Sequence, residues 1–261
     1  MNSRHLFISA AALFITTATS HSAITLFDAI TDVTGGFGVG GAPGNTFMGQ
    51  ALTLDGPSFS AASNSILSFE IGLANTTGAA INAPVRLNLW IWQGYDPAAA
   101  APTGVFSSQV GTPGTPTVVS DFGVITLDNN RFATATTTLN TPISVNPLNG
   151  TTIGITINWQ IDQGAGFVNL PGFTTLVRGG TGQPGPVIGE NLVGAAPNFG
   201  YYRNAGGETN GNFLSSSARN VGANSSLYLT INGPDPIPEP ATAMLASVFC
   251  LTLLRRRRSG V

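Results

Sequence analysis

Val85-Arg86-Leu87-Asn88-Leu89-Trp90-Ile91-Trp92 is the stretch that decides the fold. Val85, Leu87, Leu89 and Ile91 share one parity; Arg86, Asn88, Trp90 and Trp92 share the other. Side chains of a strand point alternately to opposite faces. The stretch is therefore predicted to be a strand with one face on a core and the other polar, as in antiparallel sheets. The pattern recurs on both sides of it. Leu67, Phe69, Ile71 and Leu73 alternate with Ser68, Glu70 and Gly72. Ile153, Ile155, Ile157 and Trp159 alternate with Gly154, Thr156 and Asn158, and Leu227, Leu229 and Ile231 with Tyr228 and Thr230. Further strands are predicted at Thr46 to Leu54, Val118 to Leu127, Arg131 to Leu139 and Phe173 to Arg178. Glycine and proline punctuate the chain every few residues, and helix signals are nearly absent between Ala23 and Asn232. Eight or more short strands between turns predict an all-β fold, an antiparallel two-sheet β-sandwich of jelly-roll type.

One register is predicted. Asn75 to Ile81 joins two strands of matching alternation. Treated as a hairpin, it sets Phe69 opposite Leu87, Leu67 opposite Leu89, and Glu70 opposite Arg86 as an exposed ion pair. Gly35 to Gly44 and Gly179 to Asn212 are predicted to be long surface loops. Gly36, Gly38 and Gly41 have the spacing of a dinucleotide-binding turn, but no helix follows, so a plain loop is expected.

The two ends differ from the body. Arg4 and His5, the apolar run Leu6 to Ile15 and the small residues Thr16 to Ala23 form a secretory signal peptide, residues 1–22, with cleavage expected after Ser20 or Ser22. The body is expected at 23–232, and a proline-rich linker at 233–240. The uncharged span 241–254 is expected to be a transmembrane helix. It would rise about 21 Å, short against a bilayer core of about 30 Å, a mismatch met by thinning or snorkelling. Arg255, Arg256, Arg257 and Arg258 form a membrane stop within a basic cytoplasmic tail, 255–261.

Pro238, Glu239 and Pro240, followed by that apolar span and the arginine cluster, are similar to the PEP-CTERM sorting signal of bacterial envelope proteins. The resemblance covers residues 236 to 258. It implies recognition and processing by a membrane exosortase near the Pro-Glu-Pro motif, and an association with exopolysaccharide and biofilm. It implies nothing directly about the body. Asn75, Asn149 and Asn224 begin N-glycosylation sequons; in a bacterium they are better taken as turn-forming asparagines.

Composition narrows the chemistry. The 261 residues hold 10 Lys and Arg, all of them Arg, and 12 Asp and Glu; only 8% are charged. Five Arg against ten acids leave the body near −5. With no basic patch, a nucleic-acid partner is not expected. The single cysteine, Cys250, lies in the tail, so the body has no disulfide. Both histidines, His5 and His21, lie within residues 1–22. Cleavage after Ser22 leaves a body without His, Lys or Cys. That excludes Ser-His-Asp and Cys-His catalysis, Schiff-base chemistry and His- or Cys-ligated zinc. Carboxylate chemistry survives, as a glycosidase pair or a calcium site, but the acids are scattered singly. Glu208, Asn210 and Asn212 resemble a calcium loop only faintly, and a turn is expected there. No enzyme, cofactor or metal is expected.

The expectation is an exported protein of the envelope, outer surface or extracellular matrix. Its role would be structural or adhesive, and its partners the exosortase, the membrane and exopolysaccharide. The first alternative is a carbohydrate-binding module. Arg86, Asn88, Trp90 and Trp92 share a face, with Tyr95 at the strand end, and exposed indoles stack on sugar rings. Against it, large aromatics are usually buried, here in a second small core. The second alternative is a glycosidase.

Overall fold

The structure, a computed structural model, describes residues 23–31, 37–39, 46–55, 64–98, 105–178, 185–191, 199–204, 218–220 and 226–234. Every regular element in it is a strand. In chain order these are β1 (Ala23–Asp28), β2 (Phe37–Val39), β3 (Phe47–Thr53), β4 (Ser65–Asn75) and β5 (Ile81–Asp96). Next come β6 (Val105–Gln109), β7 (Val118–Leu127), β8 (Arg131–Ser144), β9 (Thr152–Asp162), β10 (Phe167–Asn169) and β11 (Phe173–Arg178). The last are β12 (Glu190–Asn191), β13 (Phe199–Asn204), β14 (Ala218–Asn220), β15 (Ser226–Leu227) and β16 (Leu229–Pro234).

Eight of these build two antiparallel sheets. In sheet 1 the order is β1-β16-β4-β8; in sheet 2 it is β3-β9-β5-β7. Among the eight, β5 and β7 are the only chain-consecutive pair in one sheet; every other step crosses between sheets. That winding is the jelly roll, and it agrees with the predicted sandwich. β11, β15 and β2 extend sheet 1, and β13, β14, β12, β10 and β6 extend sheet 2.

Alternation places the core. Phe69, Ile71, Leu73, Leu229 and Ile231 of sheet 1 face Val85, Leu87, Leu89, Ile91, Ile153, Ile155, Ile157 and Trp159 of sheet 2, all fully buried. Trp159 anchors the layer, with its ring 5.8 Å from Phe122 and 6.5 Å from Phe173. Gln50 also points inward, and its Oε1 accepts from the Leu227 amide (2.8 Å) and the Ser226 hydroxyl (3.2 Å), fastening the sheets together. A buried amide is tolerated only when bonded in this way.

The predicted β4–β5 hairpin is wrong. β4 and β5 lie in different sheets, and their apolar faces meet across the core. Glu70 is flanked by Thr136 and Thr230, while Arg86 pairs with Gln160 and Asp121. A hairpin and a crossing arch ask for the same parity on both arms, so alternation does not separate them. Asn75 does. It is fully buried, and its Nδ2 donates to Ala79 O and Leu127 O, both at 2.8 Å. Its Oδ1 accepts from the Thr77 amide and hydroxyl, and its carbonyl accepts from the Asn130 amide at 2.7 Å. One side chain thus pins the β4–β5 arch onto the β7–β8 arch beside it. This is the turn-forming role expected of Asn75.

Three smaller corrections follow. The β4–β8 register shifts between Ile66 and Ser68, so Ile66 enters the core in place of Leu67. Within the predicted loop Gly35 to Gly44, Phe37–Val39 pairs with β11. Within the predicted loop Gly179 to Asn212, Glu190–Asn191 and Phe199–Asn204 pair with β3. At the chain ends of the body, Ala23 is paired with Pro234, so β1 and β16 begin and finish side by side.

Candidate functional site

The outer face of β5 carries Arg86, Asn88, Trp90 and Trp92 in the predicted order. Its surroundings differ from an open platform. Trp90 is 7% exposed and Trp92 4%. Opposite them on β9 stand Thr156 and Gly154, and beyond those on β3 Gly49 and Ala51. These small side chains leave room for two indoles on the sheet. Trp92 Nε1 donates to Thr156 Oγ1 at 3.0 Å. The Trp90 ring packs 5.6 Å from Phe47, and its Nε1 has no hydrogen bond among the described residues. Tyr95 and Phe106, 5.3 Å apart between ring centres, complete this cluster with Ala51. Burial, then the nearby Asp96 charge, pushes the Tyr95 hydroxyl above its ordinary pKa. Burial of Trp90 and Trp92 is the reading the sequence favoured over an exposed platform, and Tyr95 is buried with them. Stacking on a sugar needs an accessible ring face, and these rings form a second small core.

The other half of the face is polar. Asn88 Nδ2 donates to Gln160 Oε1 (2.9 Å) and, at 3.3 Å, to Asn158 Oδ1. Asn158 Nδ2 donates to Thr46 O and to Asn169 Oδ1, both at 3.1 Å, and Gln160 Nε2 donates to the same Asn169 oxygen at 3.2 Å. Four amides on three strands thus form one network, with Asn158 almost fully buried and Asn169 at the exposed end. At its rim Arg86 grips Asp121 through Nε (2.6 Å) and Nη2 (3.0 Å) and stacks 3.8 Å above the Phe167 ring. The arginine hydrogen bonds hold the Asp121 carboxyl below its ordinary pKa, and Asp121 in turn raises the guanidinium. Sequence reading found Arg86 and Asn88 and missed Gln160, Asn169, Asp121 and Phe167. Their positions follow from the β9–β10 and β5–β7 pairings, which no local pattern announces.

Two carboxylates close turns. Asp28 Oδ1 accepts from the Ile30 and Thr31 amides (2.8 and 3.0 Å), and Asp162 Oδ1 from the Gly164 and Gly166 amides, each closing a turn. Among the described residues, no three His, Cys, Asp or Glu side chains gather where they could hold a metal ion. At the second sequon, Asn149 Nδ2 donates to Tyr95 O at 3.1 Å, again a turn role. Pro238, Glu239, Pro240 and Arg255 to Arg258 lie outside the described residues, as do residues 1–22, where a signal peptide is expected, Asn224 and Glu208 to Asn212. No helix among the described residues is long and apolar enough to cross a membrane. No protein-family model, curated protein or solved structure matches the chain.

Proposed function

We propose that this is an exported, tail-sorted protein of the bacterial surface or extracellular matrix, with a structural or adhesive role and no catalysis of its own. The observation that carries the reading is the ordered tail: Pro238-Glu239-Pro240, the apolar span 241–254, then Arg255 to Arg258. An exosortase-type enzyme would read the motif, and the span would hold the chain in the membrane until processing. The signal sequence at residues 1–22 supports the same destination independently.

Two features of the body are in keeping with it. Ala23 and Pro234 are neighbours across a ladder, so the described body begins and ends at one corner of the sandwich. The body lacks Lys and Cys, and its polar surface rests on Thr, Ser, Asn and Gln. Such a surface resists thiol and amine chemistry outside the cell and offers hydroxyls and amides to a hydrated polysaccharide.

The test is replacement of Pro238, Glu239 and Pro240 by alanine in the native host. The expected result is a changed C-terminal mass and a protein retained in the membrane. Unchanged mass and location would show that the tail is not being read, and the proposal would fail.

A further inference from the structure

A two-sheet sandwich has four long edges, and three of these are guarded. β1 is short and bulged between Thr25 and Phe27. The β3 edge is covered by β13 and β12. β7 is broken by a bulge, where Phe122 and Gly123 oppose the single residue Val85 and Gly123 takes φ +67°, and it carries the Asp121–Arg86 pair. Bulges, charges and covering strands are the usual protections of a sheet edge.

β8 has none of them over most of its length. From Arg131 to Thr138 it follows β4 residue for residue. The run 132–138 contains no charge, no proline and no glycine. Its register breaks only beyond Thr138, before Pro142 and Ile143. Among the described residues, β4 is its one strand neighbour. Thr134, Thr136 and Thr138 are exposed on the outer face, and Ala135 and Thr137 are buried on the inner. The Thr137 hydroxyl meets that of Ser120 on β7, closing the mouth of the sandwich with a polar pair. Among the described residues, no strand pairs with the outer side of β8, a neutral ladder of backbone donors and acceptors from 133 to 138.

We propose that β8 pairs antiparallel with β8 of a second copy of this chain, about a two-fold axis midway between the two copies of Ala135. Symmetry and pleat fix this register. A two-fold normal to the sheet keeps each inner face on its own core, and makes the interface self-complementary. Residues directly opposite must then share a face, so at the axis a residue pairs with its own equivalent and not with its chain neighbour. Ala135 is the centre of the run 132–138, so the ladder uses the whole regular segment and stops before the register break. Thr134 falls opposite Thr136 of the partner subunit, and Ala133 opposite Thr137 of the partner subunit. Ala135 meets its own equivalent, and a methyl group at the axis lets the two rims close. Threonine pairs across strands are favourable, and nowhere do like charges meet. This inference is independent of how the chain is sorted.

Two double variants test the register, and both carry T136K, which sets an ammonium beside Glu70 on the neighbouring strand. T134K/T136K places Lys opposite Lys twice; T134E/T136K places Glu opposite Lys twice. The full chain in mild detergent is followed by sedimentation equilibrium over about 1 to 100 μM. The expected result is a wild-type dimer, a dimer at least about tenfold weaker in T134K/T136K, and one held or tightened in T134E/T136K. A wild-type monomer throughout, or equal effects of the two variants, overturns the proposal. Should T134K/T136K fail to fold, hydrogen exchange of wild-type amides 132–138 decides. Protection that grows with protein concentration supports the pairing. Protection independent of concentration means that a segment of the same chain covers the edge, and overturns it.

Discussion

The outer faces of the two sheets have the same alternating sequence and opposite fates. On sheet 1 the outward residues are mostly polar, with Phe132 an exposed exception, and several bond along rows. Asn232 Nδ2 donates to Ser68 Oγ at 3.1 Å, and Thr25 Oγ1 donates to Asn232 Oδ1 at 3.1 Å. Thr134 and Thr136 lie beside them, exposed. On sheet 2 the outward parity begins as polar, at Arg86 and Asn88, and ends with two buried indoles. Alternation reports which side faces the main core. It does not report whether the other side stays in water; residue size decides that, because an indole contributes far more burial free energy than a threonine.

Substitutions at matched positions test this contrast. Trp92→Ala should cost about 3–5 kcal/mol in urea unfolding, since it opens a cavity beside Trp90 and removes the indole hydrogen bond to Thr156. A loss below about 1 kcal/mol would mean that this face is a surface and not a second core. Gly72→Ala comes next, at about 1–3 kcal/mol. A methyl group there meets Leu176 Cβ and the Tyr228 ring at 2.8 Å, the crowded spot of the otherwise open sheet 1 face. Asn158→Ala should cost a comparable 1–3 kcal/mol or so by taking a bond from the Thr46 carbonyl and from the buried Asn88 amide. Asn232→Ala, on sheet 1, should cost under about 1 kcal/mol by the same measurement. Equal losses for the two asparagines would erase the contrast.

A smaller effect should appear with pH. Burial pushes the Asp28 carboxyl up, but hydrogen bonds from Thr31, Ile30 and Thr230 outweigh it and hold its pKa below the ordinary value. Stability from Asp28 is therefore full above the unfolded-state pKa, about 3.9, and is lost as pH falls through the lower folded value. In acid titrations followed by circular dichroism, Asp28→Asn should flatten the decline below about pH 4. An unchanged slope would remove Asp28 as its source. Smallest of all, Thr136→Ala should stay within about 0.5 kcal/mol of wild type in urea unfolding.

Much of the fold could be read from the chain. Val118 to Leu127 and Phe173 to Arg178 are strands with the predicted ends, and the jelly roll follows from many short alternating segments. What stayed hidden had physical causes. The arch at Asn75 to Ile81 satisfies the same parity as a hairpin, and the choice rests on Asn75 bonding to Leu127 O, a partner far along the chain. Leu67 matches the alternation, yet a register shift hands its place to Ile66. β1 begins at Ala23, directly after the segment read as a signal sequence, and that reading drew attention away from a following strand. Of the candidate site, Arg86, Asn88, Trp90, Trp92 and Tyr95 were legible as a group, and the size of the two indoles argued for their burial, but the residues packed around them were not legible. The covering of a face is set by tertiary packing, which a single strand's pattern does not contain.

The pairing of Ala23 with Pro234 has a mechanical consequence. β16 lies between β1 and β4, and its last residues run straight toward the C-terminus. Tension applied through that end acts along the strand, so the bonds to both neighbours share the load in shear instead of breaking one after another. A body hung by this corner would hold its grip at the strand least able to peel, and swing its far end, with the Asn75 arch, outward into whatever surrounds it.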